Sequence, residues 1–280
     1  MVLTRQELDA LLADGAKVYP MQWIETDKNA HKRRDNRSIA PELKSRLVGC
    51  GNFEETPGLR TDSPTGDADA HNLICSFCAS HRVKTKSAYI SSAYLQGKEV
   101  DRLILYRIPK GGIPEENIAE GTVIAARVPI YGTKDAGRGF WLRLKEVVLS
   151  TGYELNRILP TMFAMRHKGK IVGVMSSNVD DLLFGSLPGY EKQMQQVLDT
   201  FAVREQNETS FRFCGKEFVQ HPDYSITVTA KDNTEKIRPI AIGEHRKLSE
   251  QCNAGEITSL RSVVAALAWV ARQVRPALSY

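Results

Sequence analysis

Asp180 and Asp181 stand side by side between two apolar runs, Ile171-Val172-Gly173-Val174-Met175 and Leu182-Leu183-Phe184. The β-branched residues of the first run and the polar break read as a β-hairpin with an Asp-Asp pair at its turn. Paired carboxylates on a rigid hairpin can hold divalent metal ions against a phosphate, so two-metal phosphoryl transfer is the chemistry these residues could do. The plain alternative is a solvated turn, because Asp favours turns through local hydrogen bonds.

A chain of 280 residues can bury a large core. Its 42% hydrophobic and 25% charged residues are ordinary for a globular protein. No uninterrupted apolar run reaches the roughly 18 residues of a bilayer span. Met1-Val2-Leu3-Thr4-Arg5-Gln6-Glu7 lacks a signal-peptide core, so a cytosolic or nuclear location is expected. The net charge of +5 is a mild basic bias, compatible with a polyanionic partner. Basic residues cluster at His31-Lys32-Arg33-Arg34, Lys44-Ser45-Arg46, Arg82 to Lys86, His167 to Lys170 and Arg272 to Arg275. Each cluster alone reads as a solvated surface ahead of a phosphate track.

The five cysteines, an odd count without a signal peptide, argue for free thiols. His71, Cys75, Cys78 and His81 have the residue types and short spacings of a zinc site. Leu73, Ile74, Phe77 and Ala79 instead make this segment a buried helix, with the thiols one turn apart. The expectation is a helix without zinc.

The elements that must position the carboxylates can be read around them. Residues 4 to 13 suit an amphipathic helix through Leu8, Leu11 and Leu12. Residues 25 to 40 read as a loop, and Leu47-Val48 as the start of an extended stretch. Residues 54 to 70 read as irregular. Ala88 to Leu95 and Leu103 to Tyr106 suit strands. A helix is expected from Gly137 to Ser150, capped by Gly152. Met194, Val197, Leu198 and Phe201 mark another helix. Phe211 to Phe213 and Tyr224 to Val228 suit strands. Asn253 and Glu256 form a capping box opening a helix to Arg272. Without a regular β-α-β period this is an α+β chain, and no clean linker divides it.

Several segments, in order, resemble the reverse-transcriptase domain of copia-type LTR retrotransposon polyproteins. Lys44-Ser45-Arg46-Leu47-Val48 resembles the strand that opens its fingers. Ala93-Tyr94-Leu95-Gln96-Gly97 resembles the segment after its first catalytic strand. The run from Pro129-Ile130-Tyr131-Gly132 to Phe140-Trp141 is similar to its template-contacting segment. Val179-Asp180-Asp181-Leu182-Leu183 matches its signature hairpin, and Phe213-Cys214-Gly215-Lys216-Glu217 resembles its primer-gripping strand. The helix from Leu260 through Trp269 to Pro276 resembles the one that closes the domain.

The resemblance implies fingers and palm over residues 40–280, after an N-terminal extension over 1–39 and truncated before ribonuclease H. It implies RNA-directed DNA polymerisation, with Mg²⁺ or Mn²⁺ on Asp180 and Asp181. The partners would be an RNA or DNA template-primer and deoxynucleotide triphosphates. Lys44, Arg46, Gly132, Lys134, Gly137 and Arg138 would meet nucleotide or template, and Phe213, Cys214 and Gly215 would grip the primer. Two departures stand out. The family's third carboxylate falls at Tyr89, and no Asp or Glu lies between Val83 and Lys98 to replace it. A phenol with a reference pKa of about 10 is neutral and a poor metal ligand. Asn178 stands where many relatives carry an aromatic residue. This copy is therefore expected to be an impaired polymerase. The alternatives are a non-catalytic nucleic-acid-binding remnant and an unrelated interaction domain.

Overall fold

The computed structural model describes residues 1–30, 32–242, 247, 249–275 and 277. His31 of the first basic cluster and Pro276 of the closing segment lie outside them. In chain order the first elements are α1 (Arg5–Ala13), β1 (Val18–Asp27), α2 (Lys32–Asp35), β2 (Leu43–Gly49), α3 (Ala68–Ser80), β3 (Lys86–Ile90), β4 (Leu105–Arg107) and β5 (Val123–Ala125). Then come α4 (Ala136–Ser150), β6 (Tyr153–Leu155), β7 (Met162–His167), β8 (Lys170–Asn178), β9 (Asp181–Ser186) and α5 (Glu191–Thr200). The chain closes with β10 (Val203–Glu208), β11 (Ser210–Phe213), β12 (Lys216–Gln220), β13 (Ile226–Thr229), α6 (Lys231–Thr234) and α7 (Ala254–Val274). This is the mixed α+β composition expected.

The contacts divide the chain into two units, each of two segments: Met1–Pro64 with Ser92–Val147, and Thr65–Ser91 with Val148–Tyr280. No linker separates them because each unit is built from interleaved pieces.

The first unit holds a four-stranded sheet in the order β2-β1-β4-β5. Strand β1 runs through part of the expected loop: Asp27 pairs with Leu43 and Met21 with Gly49 along one antiparallel register. Its sequence carries Pro20 and no clean alternation, so local pattern does not announce it; pairing with β2 does. Tyr106 is fully buried, and its hydroxyl donates to Glu54 at 2.5 Å. Arg102 in turn donates to Glu54 and to Asp135. This neutral-to-charged chain satisfies a carboxylate that is only 4% exposed.

The second unit holds a six-stranded antiparallel sheet, β10-β3-β9-β8-β7-β6, and a small sheet, β11-β12-β13. Ile74, Phe77 and Cys78 of α3 pack with Leu183, Phe211, Phe213 and Phe218 in its core. The stretch Ala88 to Leu95 is a strand only to Ile90; Ser92 at φ +48° ends it and a 3₁₀ turn follows. The stretch Phe213 to Glu217 is a hairpin rather than one strand. Cys214 (φ +48°) and Gly215 (φ +74°) make its two-residue turn, the backbone form that matches strand twist.

Helix α7 begins at the expected capping box, Asn253 accepting from the Glu256 backbone at 2.9 Å and the Glu256 side chain accepting from the Asn253 backbone. By length and composition it could cross a membrane, being 21 residues long. Arg261 lies inside it, and a central arginine costs about 2.5–3.5 kcal/mol on insertion. One such helix is weak evidence for a span.

Gly132 has φ +89°, and a Cβ there would lie 2.0 Å from the Gly49 carbonyl oxygen. Two backbones touch at this point, where Gly49 N–H also donates to the Tyr131 carbonyl at 2.8 Å. Gly15 has φ +84° but open space around it. Gly15→Ala should therefore cost only about 1 kcal/mol, the backbone cost alone. Gly132→Ala should cost about 3 kcal/mol or more, since backbone atoms cannot move aside as a side-chain tip can. Urea unfolding midpoints of the two variants check this; equal losses would refute the close contact.

Candidate active site

The turn that carries the carboxylates has two residues, Val179 and Asp180, because Asn178 and Asp181 are register partners. Val179 adopts φ +56°, which a β-branched side chain rarely does. Such strain costs on the order of 1–3 kcal/mol and persists only where its surroundings hold it. Three hydrogen bonds do so. Ile90 N–H donates to the Asp180 carbonyl at 2.8 Å. Ser177 N–H donates to the Thr161 carbonyl at 3.1 Å. Gly66 N–H donates to the Asn178 side-chain oxygen at 3.1 Å. Through this last bond Asn178 ties the hairpin to the segment entering α3.

Pairing across the sheet brings Tyr89 to this hairpin. Tyr89 is the register partner of Asp181 on β9 and of Glu205 on β10. Directly paired residues of antiparallel strands project to the same face, so Asp181, Tyr89 and Glu205 form a row. They line a cleft of about 360 Å³ with Ser87, Phe211 and Arg212. All of these belong to the second unit, whereas Asp101 belongs to the first.

The row is electrostatically loaded. Burial pushes the Asp181 carboxyl up to about 6, and the neighbouring charges of Asp180 and Glu205 add to the rise. Both charges are negative, so a cation bound here would favour the ionised carboxylate. Hard carboxylate oxygens are the donors Mg²⁺ prefers, and the pair fits it on that ground. Among the described residues no group of three His, Cys, Asp or Glu gathers as a metal cluster. Tyr89 stands in the row between Asp181 and Glu205.

The turn of β11 and β12 sits beside the hairpin. Burial, then the charge of Asp181, pushes the Cys214 thiol up to about 12, and Asn178 hydrogen-bonds it. Phe213 is turned into the core, edge-on to His71 with ring centroids 5.0 Å apart. Gly215 packs under Trp269 of α7. Lys216 is 1% exposed, and its ammonium donates to His71 Nδ1 at 2.9 Å and Gln273 Oε1 at 3.0 Å. Burial and this ammonium push His71 down to about 3, which leaves the ring neutral. The segment with Cys75 and Cys78 is the expected helix. His81 faces the Phe77 carbonyl, and burial pushes Cys75 up to about 12 and Cys78 to about 11.

The remaining candidates belong to the first unit. Lys44 and Arg46 alternate on one face of β2, pairing in register with Thr26 and Ile24. Lys134 donates to the Glu54 carbonyl at 2.6 Å, and Arg138 to Asp62 at 3.0 Å. A Cβ on Gly137 would meet Ser63 at 3.1 Å. Contacts within the unit thus already call for glycine at 132 and little bulk at 137.

Sequence reasoning missed Glu205 and Lys216. Strand β10, Val203-Arg204-Glu205-Gln206-Asn207-Glu208, has one apolar residue and no alternation, so nothing marks it as a strand. Lys216 looks like any exposed lysine until the fold buries it; the flanking Phe211, Phe213 and Phe218 were the available signal.

Residues 11–238 match the family model described as reverse transcriptase (RNA-dependent DNA polymerase). The chain is 24% identical over 276 residues to the retrovirus-related Pol polyprotein from transposon RE2 of Arabidopsis thaliana. It is 25% identical over 276 residues to the corresponding polyprotein from transposon RE1 of the same plant. In both cases 92% of this chain is covered and 18% of the relative, so the chain spans under a fifth of their length. The chain belongs to the reverse transcriptase family, and within it to the copia-type retrotransposon polyproteins.

Proposed function

We propose that this chain is the fingers and palm of an RNA-directed DNA polymerase whose catalytic centre is impaired at Tyr89. Residues 40–280 would form fingers and palm, with 1–39 as an extension. The observation that carries the reading is the register pairing of Tyr89 with Asp181.

Asp180 and Asp181 would hold Mg²⁺ or Mn²⁺ through their carboxylate oxygens. Bound there, divalent metal would activate the primer 3′-hydroxyl and neutralise charge on the nucleotide phosphates. The chain's own contribution is rigidity. The short turn fixes Asp180, the strand fixes Asp181, and Ile90 and Asn178 keep both from drifting. Tyr89 brings a phenol rather than a carboxylate into the row, a poorer ligand for a second ion. Lys44, Arg46, Lys134 and Arg138 would meet nucleotide and template phosphates, where lysine acts as a point charge and arginine as a fork. Phe213, Cys214 and Gly215 would support the primer end.

Tyr89→Asp should raise Mg²⁺-dependent single-turnover extension by orders of magnitude, while template-primer affinity changes little. A 10³-fold gain corresponds to about 4 kcal/mol of barrier. Extension by the unmodified protein at the rate of the Tyr89→Asp variant would sink the impaired reading. Template-primer binding without rescue favours the non-catalytic remnant.

Asp181 also predicts a pH dependence. Its folded pKa, about 6, lies above the ordinary carboxylate value near 3.8, so the fold takes up protons more readily than the unfolded chain. The stability this gives is full below about pH 3.8 and is lost as pH rises through 6. At pH 7 without metal, Asp181→Asn should therefore be more stable than the parent. The gain should be on the order of 1 kcal/mol, since partial exposure screens the charges. Thermal melts from pH 4 to 8 should show the two proteins diverging as pH rises, and Mg²⁺ should narrow the gap. Parallel curves would rule out the charge strain.

A further inference from the structure

Two arginines of the first unit converge on one carboxylate. Arg60 Nε donates to Asp62 Oδ1 at 2.9 Å and its Nη2 to Oδ2 at 2.8 Å. Arg138 Nη1 donates to the same Oδ2 at 3.0 Å and reaches the Asp62 carbonyl at 3.4 Å. Two guanidinium groups this close repel each other unless an anion lies between them. The two-pronged geometry on Arg60 is the one arginine uses for carboxylate and phosphate alike.

The three side chains are not equally set. The Arg138 side chain is 17% exposed, Asp62 56% and Arg60 70%. Arg138 is built into the wall at the start of α4, and the anion lies on its solvent side. Asp62 belongs to a stretch without helix or strand between Glu54 and Asp67, so it can swing away without breaking an element. An exposed ion pair holds by only about 0–1 kcal/mol. Beside it opens a cleft of about 420 Å³ bordered by Arg60, Lys98, Arg102 and Arg138. Lys98 and Arg102 are engaged with other carboxylates, Glu146 and Asp135.

We propose that Arg60 and Arg138 form a seat for one phosphate ester group, and that the Asp62 carboxylate occupies this seat in the free protein. The proposal rests on the polymerase reading, which supplies two sources of that group: the nucleic-acid backbone and the triphosphate of a nucleotide. Neither Arg60 nor Asp62 is marked by any motif. Binding requires Asp62 to give way, so the carboxylate acts as a brake that competes with the ligand.

The test measures binding of a labelled template-primer by anisotropy between 50 and 200 mM salt, and of dATP by calorimetry, on the full chain. Asp62→Ala should tighten one of the two by about threefold to tenfold. If the template-primer is the source, only the affinity read by anisotropy should rise, across the whole salt range. If dATP is the source, only the calorimetric affinity should rise. Arg60→Ala and Arg138→Ala should each weaken the same ligand. In the Arg60→Ala/Arg138→Ala background, Asp62→Ala should do nothing, and this cycle guards against a folding artefact. If Asp62→Ala weakens both ligands or leaves both unchanged while the parent binds template-primer, the seat is wrong and the polymerase reading stands. If the parent binds neither ligand, the polymerase reading fails and the seat with it.

Discussion

The register of the six-stranded sheet is the constraint on which the candidate site depends. Asn178 opposite Asp181 leaves two residues for the turn, and Tyr89 opposite Asp181 fixes what stands beside it. Side chains alternate faces along a strand, so a slip of one residue would turn Asp181 into the opposite layer. The two-residue turn forbids the slip, because it fixes which residues of the two strands can face each other. Leu182 and Leu183 are both fully buried, one on each face of the sheet. Burial on both faces anchors the strand, and the anchored strand holds Val179 in a conformation it would otherwise leave.

Electrostatics then sets the character of the site. A carboxylate drawn out of water beside two more negative charges resists ionising, and a cation relieves it. The small sheet of the same unit holds a different solution. There Lys216 is buried as an ammonium, with His71, Gln273 and the face of Phe218 around it. Burial pulls its pKa below the ordinary lysine value, while two hydrogen bonds and an aromatic face within 5.7 Å offset part of that cost. It joins α3, β12 and α7 within the second unit, beside the turn at Cys214 and Gly215.

The first unit is organised differently, by close backbone approach. Gly49, Gly51 and Gly132 let chain segments touch where any side chain would collide. Tyr106, Glu54 and Arg102 then satisfy the polar groups this packing buries. The candidate phosphate-facing residues at the start of α4 hang on that framework. Asp62, the counter-ion of Arg138, comes from the same unit.

The sequence by itself determined the hairpin, the five longer helices and the family, but not the short α2 and α6. Asp180-Asp181 between apolar runs, the capping box at Asn253 and the stripe of Met194, Val197 and Leu198 are local signals. Local chemistry is enough to read them. Counting back from Ala93 even located Tyr89 on the strand beside the hairpin. Tertiary structure alone decided what has no local signal. Strand β1 exists because β2 pairs with it, and polar β10 because β3 does, which places Glu205 in the row. Phe213 to Glu217 became a hairpin because two consecutive residues took positive φ. Lys216 is buried and Asp62 is clasped by two arginines because distant segments meet there. Burial and charge pairing depend on what lies across space, and neighbours in sequence carry no record of it.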